Sequence, residues 1–197
     1  MFAGFELEDY KPGQQKMPFT LLTIFVVLGY YILMQTTAHV KKHSINKPYP
    51  PFSPILDEHF YFDDALLHRV MNQYHPKLLQ EYIWLLVGRS VFMFVVAFWG
   101  VEMVLRSFSK AFFNSPIVQR GYPVEFLPMC SAALEIFINA ITIFIMKDHP
   151  NHVHGLVTMA GWLTLLKHCI IYLTYGVVLL GVLGHLKNAV TQQKKLE

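Results

Sequence analysis

Four long apolar stretches, Pro18–Ala38, Tyr82–Leu105, Phe126–Met146 and Gly155–Gly184, constrain this chain more than any other feature. Their only Asp, Glu, Lys or Arg residues are Arg89, Glu102, Glu135 and Lys167. A helix needs about 20 residues to cross a hydrocarbon core of roughly 30 Å, and every stretch reaches that length. Lipid offers backbone amides no hydrogen-bond partner, so each stretch must close its own bonds as an α-helix; barrel strands would instead alternate over about ten residues. The expected fold is an all-α integral membrane protein with four transmembrane helices and a short amphipathic helix in the first loop. With 54% hydrophobic and 15% charged residues, against about a quarter charged in soluble domains, a large soluble core is excluded.

The spans divide the 197 residues into an N-terminal tail (1–17), a span (18–38), a Pro- and His-rich loop (39–81), a span (82–105), a loop (106–125), a span (126–146), a turn (147–154), a span (155–184) and a C-terminal tail (185–197). Both termini then share one face with the 106–125 loop. That face holds Lys11, Lys16, Arg106, Lys110, Arg120, Lys187, Lys194 and Lys195, against Lys41, Lys42, Lys47, Arg69, Lys77 and Lys147 opposite. The margin tips the termini toward the more negative-potential side, while the Lys41-Lys42 pair beside the first span opposes it. Three acids precede the first lysine, unlike the basic start of a cleavable signal peptide, so the first span is expected to remain as an anchor. The net charge of +3 is spread thinly, and no nucleic-acid partner is expected. Cys130 and Cys169 fall inside spans, where they build neither a disulfide framework nor a Cys-based metal site; Cys169 is expected to be buried and inert.

The first loop opens with the proline-rich Lys47–Pro54, which holds the chain extended. Asp63 and Asp64 can then cap a helix over about 64–75, whose Leu66, Leu67, Val70, Met71 and Tyr74 share one apolar face and which Pro76 ends. Such a helix lies on a membrane surface, on a neighbouring protein, or across the end of its own bundle. Tyr49, Pro50, Pro51, Phe52, Ile55 and Leu56 cannot bury themselves against one another. The expected host is a partner subunit.

Ionisable groups at membrane depth are functional candidates. Counted from the turn near Asn151, Glu135 and Lys167 sit at one depth on antiparallel helices, and Arg89 is offset by about 6 Å at 1.5 Å per residue. Arg89, Glu135 and Lys167, with Asn139 and His168 close by, are therefore expected to cluster inside the bundle. Such a cluster serves as a proton relay, as a lipid-headgroup or quinone contact, or as a buried network that sets helix pairing and register. Glu102 and Arg106, at i and i+4, read as a solvated pair. Gly88, Gly100, Ala133, Ala140, Gly161, Gly176, Gly181 and Gly184 are expected at close helix contacts, and Gly176 or Gly181 is a candidate bend in the long last span.

Eight of the ten histidines fall on the loop face, with His168 in the membrane and His185 opposite. His39-x-x-x-His43 and His149-x-x-His152-x-His154 are spaced like metal ligands, and imidazole suits Zn, Cu, Fe and Ni. The arrangement resembles the membrane-bound di-iron desaturases and hydroxylases, whose HxxxH and HxxHH boxes gather on one side of a four-helix bundle. It departs from them in having no paired His-His, since the turn reads HPNHVH. The resemblance implies a metal enzyme with His39, His43, His149, His152 and His154 as ligands. A haem is a further possibility only if a partner adds a ligand to His168.

No Gly-x-Ser-x-Gly or Walker loop occurs in the chain. The sequence thus favours a non-catalytic accessory subunit of a larger membrane complex, with other membrane subunits and lipids as partners and no cofactor of its own. A respiratory-chain or ATP synthase complex of the mitochondrial inner membrane is the expected setting. The alternatives are the histidine-liganded metal enzyme and a small proton- or solute-conducting module.

Overall fold

The computed structural model describes residues 19–43, 55–56, 59–72, 74–109, 111–112, 124–148 and 154–193. Five α-helices occur among them: α1 (Phe19–His43), α2 (Asp64–Met71), α3 (Pro76–Val104), α4 (Leu127–Asp148) and α5 (His154–Gln193). A π-helical turn, Leu105–Ser109, continues α3, and a 3-10 turn, Val124–Phe126, leads into α4. Apart from α2, each helix is long and apolar enough to span a bilayer, over Phe19–His43, Pro76–Phe108, Leu127–Asp148 and His154–Asn188. The protein is an all-α, multi-pass membrane protein.

Helices α3, α4 and α5 form the centre, while α1 leans against α3 and contributes one buried residue, Val40. Within the membrane, the seam between α1 and α3 is closed by shape and by a polar contact. Gly29 accepts the Phe92 ring against its backbone, and the Trp99 indole donates to Thr23 Oγ1 at 3.1 Å. Much of α1 faces outward, including Ile24, Val27, Tyr30, Tyr31 and Ile32, as suits a helix whose solvent is lipid.

The main core lies at the loop end, not at mid-membrane. Ile55, Leu56, Phe62, Leu67, Val70, Met71 and Tyr74 from the first loop bury against Val40 of α1, Leu78, Tyr82 and Leu86 of α3, Ile141, Ile145 and Met146 of α4, and Val157 and Ala160 of α5. The expectation of a partner's surface is corrected for Ile55 and Leu56: the chain's own helix ends host them, because four neighbouring ends expose enough apolar area to cover one short helix and its lead-in. Helix α2 likewise caps its own bundle. The proline-rich Lys47–Pro54 lies outside the described residues.

Local sequence explains the boundaries. Asp63 caps α2, its carboxylate accepting from the Leu66 N–H at 2.9 Å. Pro76 does not end α2, which stops at Met71; it opens α3, with His75 as N-cap accepting from the Lys77 N–H. The first turn of a helix has no use for the N–H that proline lacks. At the other end, the π turn lies on Gly181 of α5, where any side chain would strike the Ser107–Phe108 backbone. Helix α5 runs unbroken for 40 residues, about 60 Å at 1.5 Å per residue. Neither Gly176 nor Gly181 breaks it.

Candidate functional site

Three helices bring charge to one level inside the bundle. Arg89, Glu135 and Lys167 each lie thirteen residues from the loop-side end of their helix, at Pro76, Asp148 and His154 respectively, which is about 20 Å at 1.5 Å per residue. The expected offset of Arg89 disappears because α3 begins at Pro76, earlier than the apolar run suggested. Glu135 Oε1 lies 2.8 Å from Arg89 Nη2, and Oε2 lies 2.7 Å from Lys167 Nζ. The carboxylate thus clamps α3 with one oxygen and α5 with the other. The side chains of Glu135 and Lys167 are 2% and 3% exposed, whereas that of Arg89 is 22% exposed, so Arg89 is the one member of the trio left partly open.

Asn139, one turn along α4 from Glu135, extends the network to α3. Its Nδ2 donates to Ser90 Oγ at 3.1 Å and to the Leu86 carbonyl at 3.4 Å. Ser90 was not singled out from the sequence. A hydroxyl in an apolar span is unremarkable by itself, because it can satisfy itself on its own helix, as Ser90 does by donating to the Leu86 carbonyl at 2.9 Å. Its position next to Arg89 was the available signal.

His168, the fifth member of the expected cluster, is half-buried on the outer side of the network. Its ring centroid is 4.8 Å from that of Phe60, which also stacks on Tyr172 at 6.0 Å. Phe60 belongs to the first loop, yet His168 and Tyr172 lie well below the α5 N-terminus. The described residues between Ile55 and Phe62 therefore dip alongside α5: Tyr61 packs edge-on to Trp162 with ring centroids 5.5 Å apart, and the Phe62 carbonyl lies against Gly161. Non-helical backbone at such depth must find partners inside the protein. The Leu56 N–H donates to the Tyr82 hydroxyl at 3.0 Å, and the His59 N–H to the Leu56 carbonyl at 3.1 Å.

The loop-face histidines distribute differently from the metal-ligand expectation. His39 and His43 do stack, with ring centroids 4.2 Å apart, but His39 Nε2 reaches Glu81 at 3.4 Å and His43 Nδ1 donates to the His39 carbonyl at 2.9 Å. His154 pairs with Asp64, joining the start of α5 to the start of α2. No group of three metal-ligating side chains converges among the described residues, and His149 and His152 lie outside them. Glu102 and Arg106 pair at 3.1 Å at the surface, as their spacing requires. Cys169, expected to be buried, is exposed on α5, because the inward face there belongs to Lys167 and Thr164.

Comparison with known proteins adds no relative: no family model, no curated protein and no solved structure matches the chain.

Proposed function

We propose that the chain is a non-catalytic accessory subunit of a larger membrane complex and that its polar intramembrane groups serve to hold its own helices in register. The supporting observation is Glu135. Both of its oxygens are ion-paired to cations on the two flanking helices, inside a side chain 2% exposed. A carboxylate held this way fixes α3, α4 and α5 at one depth; a carboxylate that relayed protons or met a substrate would keep an oxygen open to a path. The outward apolar surface of α1, with Leu21, Ile24, Leu28 and Ile32 exposed, supports the subunit part of the reading, since a span that packs mainly on α3 leaves this surface available to neighbours within the membrane.

Gentle detergent extraction followed by native mass determination tests this. A species far above 22.8 kDa containing other polypeptides is expected, and a lone monomer in its micelle would refute it. The same proposal includes the setting expected from the sequence, a respiratory-chain or ATP synthase complex of the mitochondrial inner membrane. Co-fractionation of a tagged chain with that membrane is its test.

A further inference from the structure

Asn139 is 1% exposed, one helical turn from Glu135 on the same face of α4. The orientation of its amide is set by Ser90. Because the Ser90 hydroxyl gives its proton to the Leu86 carbonyl, its oxygen accepts from Asn139, and the nitrogen end of the amide must face α3. Oδ1 therefore turns away from α3, and no described residue donates to it. Side chains on a helix lean toward its N-terminus, which carries this amide toward the turn holding Glu135. There, Glu135 Oε1 is equally enclosed and accepts no aligned hydrogen bond, its approach to Arg89 being an ion-pair contact. Two buried acceptors thus lie one turn apart, at a depth where lipid supplies no donor.

We propose that the interface of α3, α4 and α5 binds a single water molecule that donates one O–H to Asn139 Oδ1 and the other to Glu135 Oε1. The chemistry selects water. It brings two donors to two acceptors in the smallest volume, and its own oxygen can accept from Lys167, whose ammonium carries three N–H donors and gives one to Glu135. A metal cation would be repelled by Arg89 and Lys167, and an anion would meet two acceptor oxygens. The bound water makes the ion-pair network a hydrated one, so that Glu135 and Lys167 keep their charges at mid-membrane without a path to bulk solvent.

Water-edited solid-state NMR on the ¹⁵N-labelled full chain in lipid bilayers tests this. The Asn139 side-chain amide and the Lys167 ammonium, identified by their loss in N139L and K167M, should gain magnetisation from water several-fold faster than the backbone amide of Val91, which faces lipid. In N139L the transfer to Lys167 should fall to the Val91 level. Build-up at Asn139 and Lys167 no faster than at Val91 in the unsubstituted protein would overturn the proposal, as would unchanged transfer to Lys167 in folded N139L. If N139L does not fold, the comparison within the unsubstituted protein decides alone.

Discussion

Glu135 shows how much one residue can be asked to do in lipid. With Arg89 at 2.8 Å and Lys167 at 2.7 Å, removing its charge leaves an enclosed Lys167 and a partly exposed Arg89 without their counter-ion. Glu135→Gln should therefore cost about 3–5 kcal/mol, measured by chemical unfolding in micelles. Replacing Arg89, Glu135 and Lys167 together by Leu or Met should recover most of that loss, because an apolar interior does not need the ions; failure to recover would mean that the pairing contributes net stability. Tyr82→Phe belongs to the same scale. It strips the Leu56 N–H of its acceptor, costs about 1–3 kcal/mol, and should raise protease cleavage between Ile55 and Phe62. The Glu135–Lys167 pairing was legible in the sequence, since equal distance from one turn puts two residues at one depth. The Tyr82 hydroxyl was not, because nothing near Tyr82 in the chain announces that a loop some 26 residues upstream will lay its backbone there.

Among the elements, glycine placement separates contacts that sequence suggests from those that packing selects. Gly100 meets Pro128, Gly161 the Phe62 carbonyl and the Tyr61 ring, Gly181 the π turn, and Gly184 Phe112, whereas Gly88 and Gly176 face open space. Ala133 and Ala140, expected at contacts, are exposed, and Ala132 and Ala160 are buried in their stead. Gly181→Leu should accordingly destabilise by about 1–3 kcal/mol through overpacking, and Gly176→Ala should be neutral or slightly stabilising through helix propensity; paired thermal melts in one detergent distinguish them. Helix type and capping were readable from local pattern, as Asp63 shows. Which side of a uniformly apolar helix faces inward was not, because lipid and protein interior accept the same side chains, and periodicity carries no signal when both faces are apolar. Pro76 illustrates a local ambiguity of another kind: a proline between two helices ends one or begins the next, and only the observed His75 cap settles it.

At the scale of the whole molecule, the loop end is where folding energy concentrates. The largest buried cluster joins four helix ends to α2 and its lead-in, while the opposite end holds a small cluster of Val104, Phe108 and Val177. The exposed His39–Glu81 and His154–Asp64 pairs at the loop end add little to it. His39→Ala and His154→Ala should each shift stability by less than about 1 kcal/mol, read by the same unfolding assay. Helix α1 stands apart, fastened to α3 by Gly29, Trp99 and Thr23. Replacing Ile24, Leu28 and Ile32 by Ala should leave the isolated chain within about 0.5 kcal/mol of its original stability, since all three are exposed surface positions. The same variant should lower the yield of the parent assembly on native gels if α1 seats neighbours as proposed.

What the amino-acid order determined by itself was the number of spans, their helical character, and the common depth of Glu135 and Lys167. Hydrocarbon thickness and the demand for internally closed backbone bonds are local constraints, and local pattern suffices to meet them. Tertiary structure alone decided that Ile55, Leu56 and α2 are hosted by their own bundle, that Arg89 joins the other two without an offset, and that Ser90 and Tyr82 extend the polar wiring. Those outcomes depend on which helix faces meet, a choice made by interlocking shape across residues far apart in the chain and invisible to any reading along it.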